Sequence, residues 1–428
     1  MRAMKDSGIP WIGEIPEGWN VCRVKDVALL YNGNSIKDEE KENYTNDTNA
    51  YPYISTKDID AVYQTIDYTN GLYTKVDDSY FKIAHSGCSL MCIEGGSAGK
   101  KKAFVERSVS FVNKLCCFSP YRIEGKFLFH YLCSPNFEME FNKYVTGLIG
   151  GVSVSTLKNF IALVPPLAEQ QRIAEFLDRK CAEVDEMIAL QEQIIEELKA
   201  YKQSVITEAV TKGLNPDAPM RDSGIEWIGS IPEHWEVRRI GSLFRLRDEK
   251  NYKPMGEVQL LSLYTGIGVF PHGEQEERGN KAVTTEGYKI VRKNDVVVNI
   301  ILAWMGAIGV SNYDGVTSPA YDVYIPNHNA APHYYHYVFR TKGIAAECYK
   351  YGRGIMMMRW RTYSSEFKQI HIPYPNIAEQ QAIADYLDEK CADIDSLIQT
   401  KQSKIDSLKE YKKSIIYEYV TGKREVNE

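Results

Sequence analysis

The chain has 428 residues, 44% of them hydrophobic and 25% charged, an ordinary composition for a protein of two or more globular domains. It lacks an apolar run long enough to span a membrane and has no signal-peptide core, so we expect a cytoplasmic protein. Its nine cysteines show neither a disulfide framework nor a paired CxxC metal site. The formal net charge of -6 argues against a uniformly basic nucleic-acid binder.

The chain opens with MKDSGIPWIGEIPEGW at residues 4–19, and nearly the same text, MRDSGIEWIGSIPEHW, returns at residues 220–235. Together with a second repeated segment described below, this makes the protein a tandem duplication. The two motifs contribute Trp11, Trp19, Trp227 and Trp235. Their large apolar rings predict packing anchors, and a docking surface for a partner subunit is the alternative interpretation.

Residues 20–163 form a first globular region of short Tyr-, Val- and Ile-rich runs broken by Gly, Asn and Asp, which predicts strands and turns with some helix. Strands are expected at residues 88–93, 103–105 and 114–118, and a helix at 126–133. Between the first two strands, Gly96 and Ser97 precede three lysines, which are Lys100, Lys101 and Lys102. A backbone turn of this kind can approach a phosphate closely, so we predict DNA contacts here.

Two segments, residues 168–211 and 378–421, lack proline and glycine and repeat their apolar residues at alternating steps of three and four. This spacing predicts two long helices, each with one buried stripe. The first stripe includes, at heptad spacing, Leu177, Val184, Leu198 and Val205. A seam sustained over several heptads predicts a coiled coil, and polar interruptions such as Lys202 and Lys412 help to fix its register.

Pairing of the two helices within one chain is the simplest prediction, and a dimer between chains is the alternative. Each helix would be about 65 Å long. The linker of residues 212–224 reaches about 45 Å at most when fully extended, too short to return along a parallel partner. We therefore predict antiparallel pairing, with the two globular regions at opposite ends of the helix pair. Two readers held apart by a stiff spacer suit a long repeating ligand such as duplex DNA.

Residues 236–373 form a second globular region that carries 18 basic and 13 acidic residues, whereas both helical segments are acidic. Strands are expected at residues 295–301 and 323–325 and a helix at 333–341. Basic and aromatic side chains cluster at Arg353, Arg359, Trp360 and Arg361. Arginine reads guanine bidentately and Trp packs against bases or sugars, so we predict a DNA-binding cluster. A solvated basic face is the alternative.

The sequence offers no convincing active site. HExxH and the Asp/Asn-Pro-Pro-aromatic motif of amino-methyltransferases are absent, and EGGSAGKKKAF at residues 94–104 fits a turn between strands better than a phosphate loop. His333 and His336 are better explained by helix packing than by metal binding. A fused methyltransferase or nuclease and a coiled-coil protein adaptor remain as alternative functions.

The doubled AEQQRIAEFLD and AEQQAIADYLD, each opening a long helix, and the doubled DSGI-x-WIG-x-IP motif resemble the specificity subunit of type I restriction-modification systems. The resemblance implies an α+β protein with two strand-rich target recognition domains, separated by two long antiparallel coiled-coil helices in a pseudo-two-fold tandem duplication. The domain boundaries follow as opening motif 1–19, recognition domain 20–163, long helix 164–213, linker and second motif 214–235, recognition domain 236–373, and long helix with tail 374–428.

The resemblance also implies a function without catalysis. Each recognition domain would read one half of a bipartite, asymmetric DNA site, the helices would set the gap, and the chain would dock two modification subunits and, through the complex, restriction subunits. S-adenosylmethionine and ATP with magnesium would bind those partners and not this chain. A GxxGK-like turn recurs in each domain of the family. Residues 95–100 match it, and residues 305–309 resemble it without the lysine.

Overall fold

The computed structural model describes residues 2–10, 12–145, 150–265, 267–273, 284–354 and 360–426. The chain divides into two units. Unit 1 is Met1–Glu192 together with Gln402–Glu428, and unit 2 is Gln193–Lys401. Each unit therefore combines one globular region with a part of each long helix. In the described part of the chain, no helix combines the length and apolarity that a membrane crossing requires.

Unit 1 consists of short strands, three short helices and parts of two long ones. Its strands are β1 (Met4–Asp6), β2 (Glu14–Pro16), β3 (Asn20–Arg23), β4 (Ala28–Asn32), β5 (Ala50–Ile54), β6 (Tyr73–Lys75), β7 (Ile83–Ala84), β8 (Ser89–Cys92), β9 (Lys102–Phe104), β10 (Val109–Phe111), β11 (Leu115–Pro120) and β12 (Ile161–Val164). Its helices are α1 (Gly125–Leu132), α2 (Pro135–Lys143) and α3 (Val154–Leu157), followed by the first long helix, α4 (Leu167–Lys212).

Unit 2 repeats this order of elements. Its strands are β13 (Met220–Asp222), β14 (Ser230–Pro232), β15 (Glu236–Arg239), β16 (Phe244–Leu246), β17 (Leu261–Tyr264), β18 (Gly268–Pro271), β19 (Lys289–Val291), β20 (Val296–Asn299), β21 (Ile308–Val310), β22 (Gly315–Thr317), β23 (Tyr321–Pro326) and β24 (His371–Tyr374). Its helices are α5 (Ile240–Leu243), α6 (Pro332–Phe339), α7 (Lys342–Tyr351) and α8 (Ser364–Phe367), followed by the second long helix, α9 (Ile377–Val420).

The central sheet has the same topology in both units. Its strand order is β4-β11-β8-β9 in unit 1 and β16-β23-β20-β21 in unit 2, with antiparallel pairing throughout. In each unit a separate strand pair, β3 with β12 or β15 with β24, joins the start of the globular region to its end. The chain thus enters each long helix directly from a paired strand.

The units differ in the sheet beside this common frame. Unit 1 adds a four-stranded sheet, β6-β5-β10-β7, in which β5 and β10 run parallel, whereas unit 2 has the pairs β17-β18 and β19-β22. The predicted strands and short helices of both globular regions are present at the expected places, with ends shifted by a few residues. The opening motifs, whose tryptophans the sequence predicts to be packing anchors, also form the strand pairs β1-β2 and β13-β14.

The prediction of two long helices is confirmed, and their ends lie within one residue of those expected. In unit 1 the first part of α4 packs with the last part of α9, and in unit 2 the last part of α4 packs with the first part of α9. Each unit therefore contains an antiparallel helix pair, as the linker length predicted. The core of unit 1 includes Leu177 of α4 and Val420 of α9, and that of unit 2 includes Val210 and Leu387.

Candidate nucleic-acid interface

The glycine-rich turn of unit 1, residues 93–101, connects the antiparallel strands β8 and β9 and is named here the first turn. Gly99 has a φ of +73°, and a Cβ at this position would lie 2.7 Å from the ring of Phe141, so only glycine fits without strain. The Ser97 carbonyl accepts hydrogen bonds from the backbone N–H groups of Lys100 and Lys101, at 3.1 and 3.3 Å. These bonds hold the turn tightly closed between the strands, as the sequence predicted.

The three lysines that follow the turn have different surroundings. Lys100 is exposed, whereas Lys101 donates from Nζ to the carbonyl of Thr56 at 2.7 Å. Lys102 is only 4% exposed, and its Nζ lies 6.0 Å from the ring centre of Phe137. Burial lowers the pKa of Lys102. Of the three lysines predicted to bind DNA, Lys100 is thus the one whose side chain reaches open solvent.

The first turn adjoins the loop that precedes α3. The N–H of Gly95 donates to the Gly150 carbonyl at 2.8 Å, and the N–H of Val152 donates to the Ile93 carbonyl at 2.9 Å. Gly96, one of the predicted DNA-binding residues, is exposed beside these contacts, and Ser97 is half-buried. The turn and the loop therefore form one continuous surface on unit 1.

The corresponding turn of unit 2, residues 300–307, connects β20 to β21 and is named here the second turn. It contains a short 3-10 helix, Ala303–Met305, which ends at Gly306 with a φ of +82°. Its Ile300 carbonyl accepts a hydrogen bond from the N–H of Thr362 at 2.8 Å, so the second turn also adjoins the loop before the next short helix. The apolar side chain of Met305, 53% exposed, replaces the lysines of unit 1 at the surface.

The arginine cluster lies on this loop of unit 2. Arg353 and Arg361 exchange two backbone hydrogen bonds of 2.9 Å, which closes the base of the loop between them. The side chain of Arg353 lies 2.8 Å from Glu366 but is 76% exposed, and Arg361 is exposed as well. Trp360 stacks on Tyr349 with ring centres 5.1 Å apart and donates from Nε1 to the Tyr349 carbonyl at 3.0 Å. The indole N–H of Trp360 is therefore already hydrogen-bonded within unit 2, whereas Arg353 and Arg361 expose their side chains to solvent.

Arg359 and Trp11 lie outside the described residues. The other tryptophans of the opening motifs are packed inside their units: Trp19 and Trp235 are 0% and 1% exposed, and Trp227 is half-buried. A Cβ on Gly422 would lie 3.2 Å from Trp19, and a Cβ on Gly213 would lie 3.1 Å from Trp235. Each buried indole therefore lies against a glycine just beyond the end of a long helix, since Gly213 follows α4 directly and Gly422 is the second residue after α9. This burial fits the packing-anchor interpretation and leaves little of either ring for a partner subunit.

The contacts that join each globular region to its helices were not predicted from the sequence. His130 Nε2 lies 2.8 Å from Asp178 Oδ1 of α4, and the Tyr337 hydroxyl donates to Asp388 Oδ1 of α9 at 2.6 Å. Asp178 and Asp388 are 210 residues apart, which is the offset between the two helical segments. Comparing polar residues at this offset would have singled out the two aspartates, although not their partners His130 and Tyr337.

The described part of the chain contains no group of three or more His, Cys, Asp or Glu side chains suited to hold a metal ion. Burial lowers the pKa of His336 to about 3, and its Nε2 lies 2.9 Å from the Arg340 guanidinium. The ring is therefore neutral at pH 7 and accepts a hydrogen bond, in agreement with the predicted packing role.

The family model of the type I restriction modification DNA specificity domain matches residues 16–200 and 232–410. The chain belongs to this family. Each match contains one globular region of the fold and a large part of the long helix that follows it. The resemblance inferred from the doubled motifs is thus confirmed, and so is the tandem duplication.

Two relatives of the type I specificity family match over nearly the whole chain. The type I restriction enzyme MjaVIII specificity subunit of Methanocaldococcus jannaschii is 23% identical and the match covers 96% of this chain and 93% of the relative. The type I restriction enzyme EcoBI specificity subunit of Escherichia coli is also 23% identical, over 92% of this chain and 84% of the relative. A solved chain from work on the assembly and conformational transition of the type I system superposes with a TM-score of 0.69 at 17% identity, covering 95% of this chain and 98% of that one. That likeness confirms the predicted fold.

Proposed function

We propose that this chain is the DNA sequence-specificity subunit of a type I restriction-modification complex, with each globular region reading one half of a bipartite, asymmetric site. The main support for the proposal is that the two units share the same central sheet but expose different side chains around their turns. The central sheets share their strand order, but the surface around the first turn presents Lys100, whereas that of unit 2 presents Met305, Arg353 and Arg361. Two unlike surfaces on one duplicated frame suit two unlike half-sites.

Each unit exposes two large apolar side chains of the long helices at equivalent positions, Met187 and Tyr411 in unit 1 and Leu397 and Tyr201 in unit 2, and these support docking of two equivalent partners. Met187 and Leu397 lie 210 residues apart and are each 51% exposed, and Tyr201 and Tyr411, with the same separation, are each 52% exposed. Large apolar side chains exposed along a helix mark interaction surfaces when they occur together. A pair of such surfaces on one chain suits two copies of one partner, which we take to be the modification subunit.

Methylation and cleavage are assigned to the partner subunits in this proposal. S-adenosylmethionine would bind the modification subunits, and ATP with magnesium would bind restriction subunits that join the complex. The chain itself would act in the cytoplasm without chemistry of its own, by binding duplex DNA and positioning the subunits on it. We further propose that α4 and α9, which both run through the two units, set the gap between the half-sites.

Co-expression of the chain with a modification subunit, followed by mapping of methylated adenines in host DNA, tests the proposal. We expect a split, asymmetric motif with a fixed gap. In a variant with Arg353→Ala and Arg361→Ala, only one half of the motif should lose its selectivity, because both residues lie in unit 2. The control is Arg107→Ala, which removes an exposed arginine outside the loop. It should leave unchanged the half of the motif that the double variant affects.

Three other outcomes would contradict parts of the proposal. Methylation by the purified chain alone with S-adenosylmethionine would show a fused enzyme. A stable complex that gives no sequence-selective methylation, although its partner methylates DNA with another specificity subunit, would show a protein adaptor. Loss of selectivity in both half-sites of the arginine variant would contradict the assignment of one half-site to each unit.

A further inference from the structure

Two cavities lie at equivalent places in the two units, where a recognition turn faces the long helices. The unit 1 cavity, of about 490 Å³, is bounded by Gly99 of the first turn and by Lys409 and Lys412 of α9. The unit 2 cavity, of about 690 Å³, is bounded by Gly306 of the second turn and by Lys199 and Lys202 of α4. Lys199 and Lys202 precede Lys409 and Lys412 by 210 residues, so the duplication places the same two lysines in both cavities.

The unit 1 cavity contains a buried ammonium group without a carboxylate partner. Lys102 is 4% exposed and lines this cavity, and within the described ranges no carboxylate oxygen lies within 4.0 Å of its Nζ. Two of the acidic groups in the lining are already paired, because Asp185 binds Lys412 at 2.7 Å and Glu410 binds Lys413 at 2.8 Å. An ammonium buried without a counter-ion is costly, and an anion in the cavity would remove that cost.

Glu138 and Asp406 also line the unit 1 cavity and reduce its positive charge. Asp406 is exposed at the surface of α9, and Glu138 is half-buried. The attraction of Glu138 raises the pKa of Lys102 less than burial lowers it. The lining carries five lysines and four carboxylates, a formal charge of +1, so an anionic ligand beside the innermost cation would compensate it.

The unit 2 cavity also has a cation in its lining, but this cation is half-buried and comes from another element. The residue of unit 2 that corresponds to Lys102 is Ile308 on β21. Lys102 pairs with Met91 of β8, and Ile308 pairs with Val298 at the equivalent position of β20. The cation is instead Arg340, which follows α6 and corresponds to the residue after α1, Cys133. In the structurally described segments, Arg340 also has no carboxylate within 4.0 Å, and its guanidinium instead contacts the neutral His336 ring. The charge is conserved between the units although the residue is not.

We propose that each of these two cavities binds a phosphate group, held in unit 1 by the buried Lys102 with Lys409 at the edge, and in unit 2 by the half-buried Arg340 with Lys199 at the edge. Lysine binds phosphate as a point charge and arginine binds it through a fork of N–H donors, and both bonds strengthen when water is excluded. The phosphate would come from the DNA backbone or from a free phosphorylated small molecule. The first source rests on the proposed function, and the second does not.

Two substitutions probe the site in the full chain. Lys102→Met removes the buried ammonium while keeping the length of the side chain, and we expect the variant to fold with an unchanged or higher Tm, since it loses an unpaired buried charge. Lys409→Met changes a half-buried helix residue at the edge of the same cavity without disturbing the core. The control is Lys25→Met, which removes an exposed lysine outside both cavities.

Inorganic pyrophosphate tests the free-ligand source. At matched ionic strength it should raise the Tm of the wild-type chain, because a ligand that binds only the folded state stabilises it. The shift should be reduced in Lys102→Met and in Lys409→Met and should persist in Lys25→Met. This arm needs no DNA and so remains decisive if the proposed function fails.

A duplex that carries the recognised sequence tests the DNA source. Loss of one phosphate contact should weaken binding about tenfold and lower the slope of log Kobs against log salt by about 0.9, with the ratio of specific to non-specific affinity unchanged.

A positive result in either arm supports the site and identifies the source of the phosphate. If Lys102→Met and Lys409→Met both fold, yet neither the pyrophosphate shift nor the salt slope differs from wild type, the proposal is overturned. A wild-type complex that selects no sequence would instead count against the proposed function.

Discussion

Lys412 of α9 places Nζ 2.7 Å from both carboxylate oxygens of Asp185 on α4, and Lys202 repeats the contact with Asp395 at 2.6 and 2.7 Å. Both lysines interrupt the apolar stripe of their helix, and each finds its partner on the opposite helix within its own unit. A polar residue on a seam specifies register when it has a single good partner. The duplicated ion pair therefore fixes the antiparallel register once in each unit.

We predict that Lys412→Ala destabilises the protein by about 1 to 2 kcal/mol, because Asp185 would be left half-buried without its partner. The equivalent change Lys202→Ala should cost less, since the Lys202–Asp395 side chains are 28% and 58% exposed against 13% and 22% for Lys412–Asp185. Urea unfolding of each variant measures the difference. Lys413→Ala, which breaks only an exposed pair within α9, is the control, and equal losses in all three variants would contradict the register role.

The contact between α1 and α4 predicts a pH dependence of stability. Burial alone would raise the pKa of Asp178, but hydrogen bonds from His130 and Lys126 outweigh burial and hold its pKa below the usual range. A carboxyl with a depressed folded-state pKa contributes stability that is present above the unfolded pKa, about 3.9, and is lost as the pH falls through the folded pKa. Asp178→Asn should therefore be less stable than wild type at pH 7.

The two proteins should converge as the pH falls below about 4, where wild-type Asp178 takes up a proton and loses its advantage. Denaturant unfolding at a series of pH values between 7 and 3 measures this convergence. Asp47→Asn is a suitable control, since the Asp47 carboxylate is exposed and makes no ion pair with the residues that the structure describes. A stability difference that stays constant over the whole range would contradict the role of the Asp178 carboxylate.

In unit 2, Arg247 and Asp295 form a bidentate ion pair, with Nε to Oδ2 at 2.8 Å and Nη2 to Oδ1 at 2.9 Å. Both side chains are nearly fully buried, and Asp295 also accepts the backbone N–H of Arg292 at 2.7 Å. We predict that Asp295→Ala destabilises the protein by about 3 kcal/mol, because the buried guanidinium loses its bidentate partner and keeps only the partly exposed Glu249. Thermal unfolding of the variant measures the loss.

The double variant Arg247→Met with Asp295→Leu should recover much of that loss, because apolar residues of similar volume replace the whole pair. The recovery distinguishes an unpaired charge from a general packing defect. If the double variant is less stable than Asp295→Ala alone, the destabilisation has another cause.

The sequence predicted some parts of this structure well because the signals are local. Absence of Pro and Gly and a sustained heptad pattern determine the long helices, and three glycines in a short polar stretch determine the first turn. The parallel pairing of β5 with β10 joins residues more than 50 positions apart, and no local pattern carries that register. The burial of Lys102 could not be predicted from the sequence either. Three adjacent lysines predict a solvated face, but strand β9 turns the third lysine inward.

The helix register leads to a prediction for the spacing of the recognised half-sites. Seven residues inserted into α4 after Glu192 and seven into α9 after Lys401 would add one heptad to each helix between the two ion pairs, so both pairs and the seam would be kept. Seven helical residues add about 10.5 Å, which equals about three base pairs of duplex DNA. Mapping of methylated adenines with the co-expressed modification subunit should show both half-sites unchanged and the gap about three base pairs longer. Insertion of the heptad into α4 alone is the control, because the unmatched seam should reduce methylation. A gap that keeps its length in the doubly extended chain would show that the helices do not set it.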